Sequence, residues 1–294
     1  MRFLAPARAA VPAHRFEHPL YADFARHRAL LRGPDWTTPE ALNAGWTATR
    51  HRYGAPALRF VTQTPMLLAD GLHYEDRIYT AGAIATRPAC WHDLFNALIW
   101  FERFPLKCAV NAAYVREFAG RGAEPRTRAQ CALTHFDEAG AVVVLDDASL
   151  LSRWDRHDWA GLLGSPDWPH GARLYLFGHA LLEQGLVPHS LPVAKCLVIA
   201  GCGTGADPAL LTQVADAIVA GELLGDPKEL RPLPLAGMPG WHPAQAAPAF
   251  FQDTPCFRPL RPGRRYPAPW SPSAQLIARR LPGSGDLRPA GVAR

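Results

Sequence analysis

The sequence predicts an α+β fold, a single mixed domain that is rich in helix and has a small sheet containing a β-hairpin. The chain has 294 residues, 48% of them hydrophobic, which is enough for one sizeable core. Helical and strand-like patterns follow one another without the regular alternation of a doubly wound sheet. The composition then becomes rich in Pro and Arg. We therefore expect one α+β domain over residues 15–262 and a largely disordered tail over residues 263–294.

Helical patterns account for most of the predicted elements. Thr38 provides a hydroxyl cap before Pro39, a combination typical of a helix start. Apolar residues recur at helical spacing along Cys90–Phe104, which is the clearest amphipathic helix. Further helices are predicted over His18–Leu31, Pro105–Phe118, Asp155–Leu163, Gly178–Gly185 and Asp207–Leu224.

Short apolar runs predict the strands. Ala132–Phe136 and Ala141–Leu145 are separated by the four residues Asp-Glu-Ala-Gly, a spacing typical of a β-hairpin. This interpretation places Gly140 at a positive φ. The other predicted strands are Leu58–Val61, Arg173–Phe177 and Val193–Ala200.

The net charge of +5 is unevenly distributed. Residues 1–32 carry +4, residues 258–294 carry +7, and the remainder carries −6. A mildly acidic body argues against nucleic-acid binding by the core. The Arg-rich tail could contact RNA or another partner, although a solvated tail is the more common outcome.

Two further features bear on location and partners. No apolar run reaches the roughly 18 residues of a membrane span, so no membrane partner is expected. The six cysteines form no CxxC pair. Free thiols in a reducing environment are the simplest interpretation, and they predict a cytoplasmic protein.

A glycine-rich loop follows the last long predicted strand. Gly201, Gly203 and Gly205 resemble the first motif of class I methyltransferases. However, Ile199 occupies the place where such motifs usually carry an acid, and too little chain follows for the remaining βα units. We interpret the loop as a structural connection and predict no cofactor-binding residues in it.

Two pairs of polar residues stand out on largely apolar helices. His92 and Asn96 are four residues apart, and so are His179 and Glu183. Such pairs suit a divalent ion, but they also suit a simple hydrogen-bonded pair. Because buried polar groups need partners, we expect His92 and His179 to share one pocket, with Asp93, Asn96 and Glu183 close by.

Other polar residues are candidates for the same pocket. Lys107 and Asn111 lie on one face of the following helix. Asp137 and Glu138 could act as a general acid and base or bind a metal ion, but the predicted hairpin favours ordinary turn chemistry for them. The additional pocket residues are therefore Asn96, Lys107, Asn111, Asp137 and Glu138.

Several segments together resemble a known family. They are YEDRIYTAGAIATRPACWHDLFNALIWFERFPLKCAVNAAY, CALTHFDEAG, FGHALLE, LAGMPGW and FQDTPCFRP. Over residues 20–262 the chain resembles a bacterial family of uncharacterised proteins, the domain of unknown function 3025. The resemblance implies one domain and no particular activity. The matched polar positions are Tyr74, Glu75, Arg87, His92, Asp93, Asn96, Lys107, Asn111, Asp137, Glu138, His179 and Glu183.

Three functions fit these observations. The first is a metal-assisted hydrolase in which His92, Asp93, His179 and Glu183 are catalytic, with a divalent metal ion held by His92, His179 and Glu183. The second is a non-enzymatic scaffold or binding protein whose polar residues are structural. The third is an accessory protein whose Arg-rich ends contact RNA or a partner. The sequence does not decide whether the protein is an enzyme.

Overall fold

A four-stranded mixed sheet lies at the centre of the protein. The computed structural model describes residues 3–46, 53, 57–119, 125–202 and 209–272. The strands are β1 (Arg59–Thr62), β2 (Ala83–Thr86), β3 (Gly140–Leu145), β4 (Ala172–Leu176), β5 (Val193–Ile199) and β6 (Arg231–Pro234). The main sheet has the order β4-β3-β5-β6, while β1 and β2 form a separate parallel pair.

Strand β3 is the centre of the main sheet. It pairs antiparallel with β4 and parallel with β5, so that Val142 lies opposite Tyr175 on one side and Leu197 on the other. Every residue of β3 is buried. This explains why the strand is a continuous apolar run without the alternation of a half-exposed strand.

Helices cover the sheet and surround the site described below. They are α1 (Arg28–Leu31), α2 (Pro39–Ala44), α3 (Pro65–Leu68), α4 (Tyr74–Ala81), α5 (Trp91–Glu102), α6 (Phe104–Phe118), α7 (Arg128–Ala139), α8 (Ala148–Asp155), α9 (Trp159–Leu163), α10 (Trp168–Gly171), α11 (His179–Gln184), α12 (Leu210–Val219) and α13 (Pro248–Asp253). None of the helices in the described part of the chain has both the length and the apolar composition needed to cross a membrane.

Helix α5 is buried on most sides. Phe95 is fully buried and stacks on Trp91, with the ring centroids 5.6 Å apart. The helix packs against α6 and α11. Because apolar contacts occupy most of its circumference, its polar residues are confined to a narrow face.

The predicted α+β class is confirmed, with a single domain that contains more helix than strand. The hydroxyl of Thr38 accepts a hydrogen bond from the backbone N–H of Ala41 and caps α2 as predicted. The predicted helices at Cys90–Phe104, Pro105–Phe118 and Gly178–Gly185 correspond to α5, α6 and α11.

The predicted hairpin around residues 137–140 is wrong. Ala132–Phe136 lies inside α7, and Gly140 has a φ of −75° rather than a positive value. A capping box formed by Thr127 and Gln130 begins α7. Ala132, Leu133 and Phe136 are buried at the spacing of a helix face.

Two other helix predictions need correction. The predicted helix Asp155–Leu163 is divided between α8 and α9, because His157 has a φ of +57°. Most of His18–Leu31 is a 3-10 helix, Pro19–His27, and only the last turn is α1.

Part of the predicted tail and loop can be placed. Tyr266 contacts His157 at 2.8 Å, and Trp270 pairs with Ile199 at the end of β5. Residues 273–294 lie outside the described residues, as do Gly203, Gly205 and Asp207. The boundaries of the predicted tail therefore stay a prediction.

Candidate metal centre

Three helices bring two imidazoles and a carboxylate together. His92 lies in the first turn of α5, Glu138 in the last turn of α7, and His179 at the first position of α11. The Nε2 atoms of His92 and His179 are 2.8 Å apart. Nε2 of His179 is 3.7 Å from Oε2 of Glu138. One nitrogen or oxygen atom from each residue lies within 4.8 Å of the other two.

The start of α11 reaches this position because Gly178 has no side chain. A Cβ atom at Gly178 would lie 2.4 Å from Cα of Ala139 and from the backbone nitrogen of Gly140. The backbone N–H of Gly178 also donates a hydrogen bond of 2.8 Å to the carbonyl of Gly140. This close backbone approach places His179 next to Glu138.

His179 is held as a neutral imidazole. Its exposed fraction is 3%, and this burial lowers its pKa to about 3. Burial disfavours the charged form of a base. A neutral imidazole is the form that binds a metal ion.

His92 is oriented by a carboxylate on the far side of its ring. Its Nδ1 donates a hydrogen bond of 3.0 Å to Oε2 of Glu183. Burial alone would lower the pKa of His92, but the carboxylates of Glu183 and Glu138 raise it above its ordinary value. With the proton on Nδ1, the Nε2 lone pair faces His179. A carboxylate in this position commonly supports a metal-binding histidine.

The carboxylates around the two histidines are arranged differently from what the sequence predicted. Glu183 contacts Nδ1 of His92, whereas Glu138 lies on the Nε2 side of both rings. Asp93 accepts hydrogen bonds from Arg87, including one of 2.6 Å from its backbone N–H. Glu138 is thus the carboxylate placed to bind the same ion as the two histidines.

A cavity of about 520 Å³ lies beside the two histidines. Its volume lies within the range of small-molecule sites in proteins. Its lining includes six of the predicted residues, namely His92, Asp93, Asn96, Asp137, Glu138 and His179.

Lys107 and Asp137 form a buried ion pair at the edge of this site. Nζ of Lys107 lies 2.7 Å from Oδ1 of Asp137, with exposed side-chain fractions of 4% and 19%. Burial would raise the pKa of Asp137, but the ammonium group of Lys107 holds it below its ordinary value. Asp137 therefore remains ionised.

The remaining predicted residue, Asn111, contacts a residue that the sequence analysis left without a role. Nδ2 of Asn111 donates a hydrogen bond of 2.6 Å to Oε2 of Glu75 in α4. Burial, together with the nearby Asp137, raises the pKa of Glu75 to about 7. Nδ2 of Asn96 donates a hydrogen bond of 2.7 Å to the hydroxyl of Tyr74.

Glu138 was predicted as a pocket residue but not included in the predicted ligand set, because the segment around it was interpreted as a turn. The helical spacing of Ala132, Leu133 and Phe136 is the signal that could have placed it on a helix. For Tyr74 and Glu75, the only signal was the family resemblance.

Fold and site together define an α+β protein with a His–His–Glu cluster at the side of a polar cavity. Residues 58–261 match the model of the family described as "Protein of unknown function (DUF3025)", and the chain belongs to that family. The match includes α4, α5, α7 and α11, and so the whole cluster. No curated protein and no solved structure matches the chain significantly.

Proposed function

We propose that the protein is a metal-assisted hydrolase whose ion is held by His92, Glu138 and His179. The observation that carries this proposal is the convergence of three ligand atoms within 4.8 Å, contributed by three different helices. The proposal keeps both predicted histidine ligands. It replaces Glu183 by Glu138 as the third ligand.

The donor set supports a catalytic zinc or similar divalent ion. Two imidazoles and one carboxylate form a ligand set that catalytic zinc sites use, and the fourth position is left for water or substrate. The cavity of about 520 Å³ supplies space for a substrate beside that position. A bound ion would supply an activated water and polarise the bond to be hydrolysed.

The protein's own residues prepare this site in two ways. Glu183 fixes the ring of His92 so that Nε2 is available to an ion. The burial of His179 keeps its imidazole unprotonated. Asp93, which the sequence analysis included among the catalytic residues, is engaged by Arg87 and is proposed to shape the cavity wall.

A scaffold or binding protein is the second candidate. It is favoured by the hydrogen bond between the two Nε2 atoms, which gives each of these two nitrogens a partner without an ion when one of them carries the proton. In that case the cluster would stabilise the packing of α5 against α11 and would have no chemical role.

The location and the role of the tail are further proposals. All six cysteines are free thiols, which supports a cytoplasmic location. Contact of the Arg-rich tail with RNA or a protein partner stays a prediction.

Metal analysis of the full-length protein tests the proposal. After dialysis against Zn²⁺ and removal of excess ion, we expect about one equivalent of zinc per chain. His179→Ala should lose it, while the control His135→Ala should retain it, since His135 is an exposed residue of α7. If the unmodified protein holds no more zinc than His179→Ala, the proposal is overturned.

A second variant keeps the test valid if His179→Ala does not fold. The Glu138 side chain is 48% exposed, so Glu138→Gln should fold normally. It should nevertheless bind zinc more weakly than the unmodified protein. Hydrolysis is then tested with p-nitrophenyl esters, phosphodiesters and aminoacyl p-nitroanilides. We expect zinc-dependent turnover of one class, absent from both variants. A zinc-loaded protein without turnover of any class would favour the scaffold function.

A further inference from the structure

A second polar cluster lines the cavity beside the candidate metal centre. We call Tyr74, Glu75 and Asn96 the acceptor cluster. All three line the cavity, and the first two are adjacent at the start of α4. Asn96 joins them from α5 through its hydrogen bond of 2.7 Å to the Tyr74 hydroxyl.

Glu75 is a carboxylate in this cavity that forms no direct ion pair, since its cationic neighbour Lys107 is paired with Asp137. Its Oε2 accepts a hydrogen bond of 2.6 Å from the neutral amide of Asn111, which is 1% exposed. Within the described ranges, no Lys, Arg or His forms an ion pair with Glu75. By contrast, Asp93 is paired with Arg87, and Asp137 with Lys107.

Asn96 supplies an independent observation. It is only 7% exposed, and its Oδ1 is buried without a hydrogen-bond partner in the described structure. Its Nδ2 already donates a hydrogen bond to the hydroxyl of Tyr74. Asn96 is a residue of the cavity wall, and because buried polar atoms are almost always satisfied, its unpartnered oxygen indicates a donor that a ligand supplies.

We propose that the acceptor cluster binds a primary ammonium group of the substrate. Glu75 would form the ion pair, while Oδ1 of Asn96 and the hydroxyl oxygen of Tyr74 would accept hydrogen bonds. An ammonium group has three donors and no acceptor, which matches three acceptors. The proposal rests on the proposed hydrolase function and deepens it, because the substrate class becomes amine-bearing compounds with a hydrolysable bond.

The charge of the cluster distinguishes an ammonium group from other ligands. When Glu75 is ionised, one carboxylate, one amide and one phenol carry a single negative charge in total, which suits a monovalent cation. Hard divalent ions generally take more carboxylate and water oxygens than this cluster offers. An anion would meet an unpaired carboxylate and would be repelled.

Binding of n-butylamine to the full-length protein tests the inference, with 1-butanol as the neutral isostere and acetate as the anion. We expect n-butylamine to bind at least tenfold more tightly than 1-butanol by calorimetry, with or without zinc. Glu75→Gln should reduce amine affinity at least tenfold, while Glu117→Gln on α6 should not change it. Asn96→Leu should also weaken amine binding, because it removes the unpartnered oxygen.

The outcomes separate this inference from the proposed function. Glu75→Gln should bind zinc with the stoichiometry of the unmodified protein, because Glu75 is not a proposed ligand. Zinc binding without amine selectivity would overturn the inference alone. A protein that binds n-butylamine but fails to bind zinc would overturn the hydrolase proposal and leave an amine-binding site. Acetate binding more tightly than n-butylamine, or amine binding that survives Glu75→Gln, would overturn the inference.

Discussion

Glu183 Oε2 lies 3.0 Å from Nδ1 of His92, so the carboxylate contacts a histidine on another helix. The pair joins α11 to α5 and determines which nitrogen of His92 is free. The spacing of His179 and Glu183 in the sequence suggested a pair within one helix. In the folded protein both residues of α11 contact the same residue of α5, one at each nitrogen of its ring.

We predict that Glu183→Gln weakens zinc binding by about 10–100-fold, the usual cost of losing a supporting carboxylate. The amide still fills the space but no longer holds the Nδ1 proton of His92 with a charge. Competition with a zinc chelator would measure the change. Gln184→Ala, at the neighbouring position of α11, is the control and should bind zinc normally. Equal affinity in the two variants would contradict the supporting role of Glu183.

We predict that Lys107→Met lowers the free energy of unfolding by about 3–5 kcal/mol, because it leaves Asp137 buried without its partner. Urea denaturation would measure the loss. The double variant Lys107→Met/Asp137→Asn should recover part of it, because no unpaired charge remains. The control is Arg128→Met, which breaks the exposed pair with Asp226 and should cost much less, because exposed ion pairs contribute little to stability. Similar losses in Lys107→Met and Arg128→Met would argue against a buried pair.

Glu75 should make stability depend on pH. Its pKa is about 7 in the folded protein against an ordinary value of 4.5, with Asp137, Asp76 and Lys107 as its charged neighbours. Between these values the folded state holds a proton that the unfolded state has lost, so this group destabilises the protein as the pH rises. Glu75→Gln cannot ionise and should therefore gain stability relative to the unmodified protein between pH 5 and pH 8.

Urea denaturation at the two pH values tests this expectation. The same substitution at Glu117 serves as the control for removal of one carboxylate from the protein. If the stability difference between Glu75→Gln and the unmodified protein stays constant from pH 5 to pH 8, the raised pKa of Glu75 is wrong.

We predict that Gly178→Ala destabilises the protein by about 1–3 kcal/mol and weakens zinc binding. The new methyl group would lie 2.4 Å from backbone atoms of Ala139 and Gly140, which cannot move as a flexible side chain would. The helix ends carrying Glu138 and His179 would have to separate. Thermal unfolding and zinc titration would measure the two effects.

Gly45→Ala is the matched control for this substitution. Its new methyl group would have its nearest neighbours at 3.7 Å, and its φ of −82° suits any residue. It should therefore change neither zinc binding nor stability substantially. If Gly178→Ala behaves like Gly45→Ala, the close approach at Gly178 does not control the site.

Sequence patterns were sufficient to predict an element of the fold where one local signal dominated. The apolar circumference of α5 and the strand-to-helix change before His179 predicted both helices, and the need to partner their polar faces predicted one shared pocket. The 2.8 Å approach of the two Nε2 atoms confirms that proximity.

For Glu138 the local signals conflicted, because the helical spacing before it competed with a turn-like sequence. Asp-Glu-Ala-Gly has the composition of a turn and also fits the last residues of a helix. Contacts with distant segments favour the helix over the turn. Strand β3 pairs with β4 and β5, so it needs no hairpin partner from residues 132–136. The ion pair between Lys107 and Asp137 likewise depends on how α6 meets α7, which no local pattern encodes.

The three proposed ligands at positions 92, 138 and 179 belong to segments that are far apart along the chain. An ion bound to them would act as a reversible cross-link that closes two long loops, much as disulfides do in other proteins. Because the unfolded chain would rarely bring the three together, such an ion would bind mainly the native state. Zinc at a free concentration 100 times its dissociation constant would then add about 2.7 kcal/mol to the free energy of unfolding.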